Sequence, residues 1–359
     1  MSLLQLAPET LKQIFDHIDP AFFHEDLGRL TVCKQWFEFA RPVCFKSITL
    51  FQDNLCILTS RSITKLVPLT NSLEWLDLEL DGYRYLYSLH PYVQEPLVHW
   101  AFTKKDHLRL DPGKKWIKHL DKDLAQLVSI TQRSRKLRIL RIKAWSLPPG
   151  GNPLIPRPED YLCLPTMQAL LSIENLRVLF LDLDAGFLDS PNDLEVGGHI
   201  CPAIGALLHT LETLHLRMRR ICPDVLKPRE QNGNLRLSEV VIHLSLSMTF
   251  LGGMEVSESK QCGIKEVAFH RHKADIQEQA EILATRMASP KVVKILTTSL
   301  STYRTWSLDV LTGKIIRLKR KYVRHDDYEI TIEDVESEDV ESEDVESESD
   351  GSFAGFSSE

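Results

Sequence analysis

A degenerate six-residue pattern, L-x-x-L-x-L with an apolar residue at each L, recurs along most of this chain and limits what it can fold into. It fits Leu73-x-x-Leu76-x-Leu78, Leu137-x-x-Leu140-x-Ile142, Leu176-x-x-Leu179-x-Leu181 and Leu211-x-x-Leu214-x-Leu216. Weaker copies are Leu237-x-x-Val240-x-Ile242 and Ile264-x-x-Val267-x-Phe269. Phe45-x-x-Ile48-x-Leu50 and Thr305-x-x-Leu308-x-Val310 read as terminal copies. The interval between the starts at 73 and 137 leaves room for a further copy near Leu108-Arg109-Leu110. The L-x-L alternation has the period of a half-buried strand. Helical periodicity falls between copies, over residues 121–133, 166–174, 202–209 and 275–287. Strand followed by helix, repeated at intervals of about 25–40 residues, predicts an α/β chain that stacks its units into a solenoid. An ordinary α/β domain with Leu-rich strands fits the same residues. The segment 147–165, rich in Pro and Gly, reads as a loop.

The flanks differ from this middle. The last 34 residues, 326–359, carry 15 acids and no Lys or Arg, and Glu333-Asp334-Val335-Glu336-Ser337 is followed by two more copies. Such a repeat buries too little apolar surface to offset chain entropy, so 326–359 is expected to be a disordered acidic tail. The other 325 residues hold all 43 Lys and Arg against 35 acids, a net of +8. Ile330-Thr331-Ile332, followed by acids, has the pattern of a SUMO-interaction strand. Six basic residues between 314 and 324 read as the outward face of a last strand.

The first 50 residues form their own unit. Leu11, Ile14, Phe15 and Ile18 make one apolar helical stripe behind Pro8-Glu9, and Asp19-Pro20 stops that helix. A short second helix is predicted behind Asp26. A third, over Val32 to Ala40, is expected to end at Arg41-Pro42. Three short helices are near the lower size limit for an independent core, so some of their apolar side chains are expected to face a partner.

This unit resembles an F-box. The resemblance is carried by Leu6-Ala7-Pro8-Glu9-x-Leu11-x-x-Ile14-Phe15-x-x-Ile18, then Asp26-Leu27-x-x-Leu30, then Val32-Cys33-Lys34-x-Trp36-x-x-Phe39-Ala40. Ala7 stands where the family has its usual Pro, with Pro8 following. The remainder is similar to the irregular leucine-rich-repeat arrays of fungal F-box proteins. The resemblance implies a division into an F-box (1–50), a leucine-rich-repeat-like substrate-binding domain (51–325) and the acidic tail (326–359). It further implies a substrate-recognition subunit of an SCF-type ubiquitin ligase, bound to a Skp-type adaptor and a cullin–RING assembly. Carried over residue by residue, the adaptor-facing positions are Leu6, Pro8, Leu11, Ile14, Leu27, Val32, Cys33 and Trp36.

On the repeat strands, the residues beside the template's last apolar position are expected to face a partner protein. Asp77, Arg141, Phe180, His215, Val241 and Ala268 lie before it, and Glu79, Lys143, Asp182, Arg217, His243 and His270 after it. Arg138, Arg141, Lys143 and Arg177 are expected to form a basic strip suited to an acidic or phosphorylated substrate, with His215 and Arg217 beside it. A scaffold acting outside the ligase, and a nucleic-acid-binding repeat protein suggested by the +8 body, stay open as alternatives, although no nucleic-acid recognition motif is visible.

Enzyme, cofactor and membrane readings find little. There is no GxSxG, HExxH, GxxxxGK[ST] or GxGxxG. No apolar run is long enough to span a membrane, and the first residues lack the pattern of a secretory signal. The seven cysteines are scattered without a CxxC pair, which suits reduced thiols in the cytoplasm or nucleus. Cys262 with His270 and His272 lacks a fourth spaced ligand, so no metal site is expected.

Overall fold

The computed structural model describes residues 6–60, 67–82, 112–145, 160–184, 186, 188, 198–230, 233–250, 253–263, 267–299 and 304–318. The acidic tail, Ile330 and Ile332, the expected copy near Leu108 and most of the 147–165 segment lie outside them.

The repeat template becomes a nine-stranded sheet. Its strands are β1 (Ser47–Phe51), β2 (Trp75–Leu80), β3 (Ile139–Ala144), β4 (Val178–Leu183), β5 (Thr213–Met218), β6 (Glu239–His243), β9 (Val292–Thr298), β10 (Thr305–Asp309) and β11 (Ile315–Leu318), in that spatial order. Pairing is parallel from β1 to β9 and antiparallel at β10 and β11. A separate hairpin, β7 (Ser245–Phe250) with β8 (Gly253–Glu258), is inserted after β6.

One backbone device repeats at each strand entry. The carbonyl of template position two accepts N–H bonds from positions two and three of the next copy. Lys46 O does so for Glu74 and Trp75, Glu74 O for Arg138 and Ile139, Arg138 O for Arg177 and Val178, and Arg177 O for Glu212 and Thr213. Glu212 O serves Ser238 and Glu239, and Ser238 O serves Lys291 and Val292. Each copy thus enters the sheet in phase with the one before. The three apolar template positions of the four clear copies are all buried.

Two expected copies are corrected. Phe269 opens a helix rather than closing a strand, and the strand paired with β6 is β9, entered through Pro290. β9 escaped the template because a proline holds its first position. β2 and β3 pair directly. The 305 copy is a strand, but an antiparallel one.

The helices are α1 (Pro8–Asp16), α2 (Pro20–Glu25), α3 (Lys34–Cys44), α4 (Gln52–Thr59), α5 (Val67–Ser72), α6 (Pro112–Arg133), α7 (Leu164–Leu171), α8 (Cys201–Leu207) and α9 (Phe269–Arg286). The buried side chains of α4 and α6 to α9 share one core with the buried alternate residues of the strands. Thr59 and Thr166 donate to Asp123 and Asp121 of α6 at 2.7 and 2.6 Å, tying α4 and α7 to it. The hydroxyl of Tyr161, 1% exposed, lies 3.0 Å from Leu80 O and 2.9 Å from Trp145 O, shares its one hydrogen between them, and so closes the ends of β2 and β3. None of the described helices is long and apolar enough to cross a membrane.

Gly205 lets α8 lie against the 3-10 helix Pro223–Leu226. A Cβ there would stand 2.6 Å from both Asp224 O and Lys227 O, and backbone cannot rotate aside as a side chain would. Gly205→Ala is expected to cost about 1–3 kcal/mol as an overpacked contact, read as a lower urea midpoint. An unchanged midpoint would contradict this packing.

The N-terminal unit has a small core of its own, Phe15, Phe23, Ala40 and Cys44, edged by Trp36 and Phe39. Its helices differ from expectation in two places. Asp19 caps a helix over Pro20–Glu25, accepting from Ala21 N at 2.8 Å, and residues Leu27–Leu30 form a 3-10 turn. α3 also runs through Pro42 to Cys44, with Phe45 N bonded to Arg41 O. Pro42 and Glu38 are exposed, so the carbonyl that proline leaves without an N–H partner faces water.

Candidate functional site

Because side chains alternate along a strand, the residues between the buried template positions share the other face of the sheet. There they line up in register across the strands. One row runs Asp77, Arg141, Phe180, His215, Val241, Lys294, and the next runs Glu79, Lys143, Asp182, Arg217, His243, Leu296. The sequence expectation holds for five of six positions in each row. Ala268 and His270 do not belong, since they lie at the start of α9; Lys294 and Leu296 of β9 take their places.

The rows are internally connected. The Arg141 guanidinium lies between two rings, 4.6 Å from the Trp75 centroid and 4.5 Å from that of Phe180. Trp75 Nε1 donates to Asp77 Oδ1 at 2.8 Å. Phe180 meets His215 edge-on at 4.4 Å, and His215 Nε2 lies 2.8 Å from Glu239 Oε1. A chain of aromatic, cationic and anionic contacts therefore crosses five adjacent strands. Arg141 Nε is buried between the rings with no acceptor among the described residues.

The expected basic strip is corrected by the same register. Lys143 Nζ is 3.1 Å from Glu79, Arg217 Nε 2.7 Å from Asp182, and Arg177 Nη1 3.7 Å from Glu212. Arg138 is exposed at the entry to β3, beside Glu74 and Arg177 in the position-two row. Glu79, Lys143, Asp182 and Arg217 alternate in sign across four strands, so the positive residues lie within a mixed field. Sequence reading missed the alternation because template matching shows each strand alone, whereas register sets the neighbours.

Two groups on this face titrate away from their ordinary range. Burial raises the Asp77 carboxyl despite its Trp75 bond, and burial lowers the His215 imidazole despite Glu239. A histidine whose folded pKa lies below its unfolded value near 6.5 takes up its proton more readily when unfolded. Stability is then whole above that pH and falls as pH drops through it. Urea midpoints of the wild type are expected to fall more between pH 7.5 and 5.5 than those of His215→Gln; parallel curves would contradict it. Arg141→Ala is expected to cost about 1–2 kcal/mol through two lost ring contacts. Arg141→Lys should restore less than half of that, because an ammonium does not stack as a plane.

The adaptor-facing positions implied by the F-box resemblance separate into inner and outer residues. Leu27 and Val32 are 62% and 61% exposed, with Phe22 exposed nearby, and Pro8 is exposed at the start of α1. Leu6 and Ile14 are half-buried. Leu11 is 1% exposed and offers a partner no surface, so its place is corrected to the interior. Trp36 packs edge-on to Phe15 at 4.6 Å and donates Nε1 to Arg29 O at 2.6 Å, and Cys33 caps α3 through its sulfur. Both are half-buried, bracing the unit while keeping part of their surface exposed.

One group of metal-ligating side chains converges among the described residues, and it corrects the view of scattered thiols. Cys262 meets His199, Cys201 and Cys222, while His270 is exposed elsewhere on α9. The neighbouring Cys201 and Cys262 thiols and His199 hold Cys222 well below the ordinary thiol range. No family model matches this chain, and no curated protein matches it.

Proposed function

We propose that the chain is an F-box protein of the leucine-rich-repeat-like type, a non-enzymatic substrate-recognition subunit of an SCF-type ubiquitin ligase in the cytoplasm or nucleus. The observation that carries this reading is the placement of Leu27 and Val32. They stand exposed on a unit whose own core is only a few side chains, and both belong to the F-box pattern. Exposed Leu, Val and Phe on one small unit suit the apolar centre of a partner surface. The Skp-type adaptor would cover this patch, and the sheet face would hold the substrate near the charged conjugating enzyme. The rate gain comes from proximity and needs no catalytic side chain on this chain.

The sheet face suits a protein segment carrying an aromatic or basic group together with acids, since its own charges alternate. That alternation gives no continuous positive track for a phosphate backbone, which argues against nucleic acid as the ligand.

The test is recovery of partners with the tagged full-length chain from cells. Adaptor and cullin together are the expected result. Adaptor without cullin would replace the ligase reading with a scaffold, and absence of both would overturn the F-box assignment.

A further inference from the structure

We infer that His199, Cys201, Cys222 and Cys262 form a closed structural zinc site that fastens the β7–β8 insertion to the body of the sheet. The four donor atoms all lie within 4.8 Å of one another. Cys201 Sγ is 3.7 Å from Cys262 Sγ, and Cys222 Sγ is 3.9 Å from His199 Nδ1. Tetrahedral zinc, with Zn–S near 2.3 Å and Zn–N near 2.0–2.1 Å, sets its ligands about 3.5–3.8 Å apart. The 3.7 and 3.9 Å spacings lie within about 0.4 Å of these values, and the widest pair, at up to 4.8 Å, would draw in by about 1 Å on loading.

The surroundings fit a metal better than three ordinary core thiols. All three cysteines are buried, His199 is half-buried, and none is in a disulfide. A three-sulfur, one-nitrogen set fills four positions and leaves none for substrate, the arrangement of a structural centre. His199 turns its other nitrogen, Nε2, toward Asp224 Oδ2 at 3.8 Å, and Asp224 Oδ1 accepts from Lys227 Nζ at 2.8 Å. A carboxylate behind a ligating imidazole is the usual means of orienting it. His272 is 1% exposed at the start of α9, with neither ring nitrogen bonded among the described residues, and it lies within the electrostatic reach of Cys222. A buried imidazole with no hydrogen-bond partner among the described residues, close enough to feel Cys222, is a polar group the described protein atoms do not satisfy.

The ligands come from three separate connections. His199 and Cys201 stand at the start of α8, Cys222 at the entry to the 3-10 helix Pro223–Leu226, and Cys262 shortly after β8. Their separation, with 20 and 39 residues between successive cysteines, hides the set from any local motif. A metal here would cross-link the chain on both sides of the hairpin. Binding would require deprotonated sulfur, so loading would release protons.

The test is metal content of the full-length chain, expressed with zinc in the medium and dialysed, by elemental analysis and native mass spectrometry. One zinc per chain is expected, falling to background in Cys222→Ser and unchanged in Cys163→Ser, a half-exposed cysteine at the start of α7. Should Cys222→Ser fail to fold, cobalt added to the chelator-stripped wild type decides. Thiolate charge-transfer absorption with the d–d bands of tetrahedral cobalt is expected. Wild-type protein that carries no zinc and gives no such spectrum, or that holds iron in its place, would overturn the assignment.

Discussion

Leu179→Ala is expected to destabilise the chain by about 3 kcal/mol, within the range for truncating a buried leucine whose cavity cannot collapse. Leu179 is fully buried in β4, with Leu140 of β3 and Leu214 of β5 opposite it on either side. Both neighbours are held by the strand ladder, so neither can move in to fill the space. With a urea slope near 2–3 kcal/mol per molar, the midpoint should fall by about 1–1.5 M. Val178, next to it in sequence, points to the other face and is half-buried. Val178→Ala should cost under about 1 kcal/mol, since it opens no enclosed cavity. Equal losses at the two positions would contradict the two-faced sheet.

Leu27→Asp combined with Val32→Asp is expected to weaken adaptor binding at least about 100-fold, by removing two apolar side chains and placing charges where a dry interface should form. Both residues are more than half exposed, so the folded chain should keep its stability within about 0.5 kcal/mol. That separates loss of a surface from loss of a fold. Leu11→Asp could not separate them, because a charge at a buried position would unfold the unit. The check is calorimetric titration of purified adaptor beside a urea curve for each protein. Unaltered affinity would remove these residues from the interface.

Much of the sheet was legible because its signal is periodic. At each of the four clear copies, as at Leu137, Leu140 and Ile142, a strand forms with those side chains inward. β9 was hidden by Pro290, and Ile264-x-x-Val267-x-Phe269 gave a false copy whose last apolar residue, Phe269, opens α9. The face residues were legible as positions but not as chemistry. Arg141 reads as a free cation until register sets Trp75 and Phe180 on either side of it. The thiol cluster was least legible, since its members come together only when distant connections pack against one another.

The central claim is tested most directly by co-expressing the full-length chain with a Skp-type adaptor and passing the purified material over a sizing column with mass detection. A stable one-to-one complex is predicted, and it should be absent when Leu27 and Val32 are both replaced by Asp. Separate elution of a folded wild-type chain and the adaptor would contradict the account.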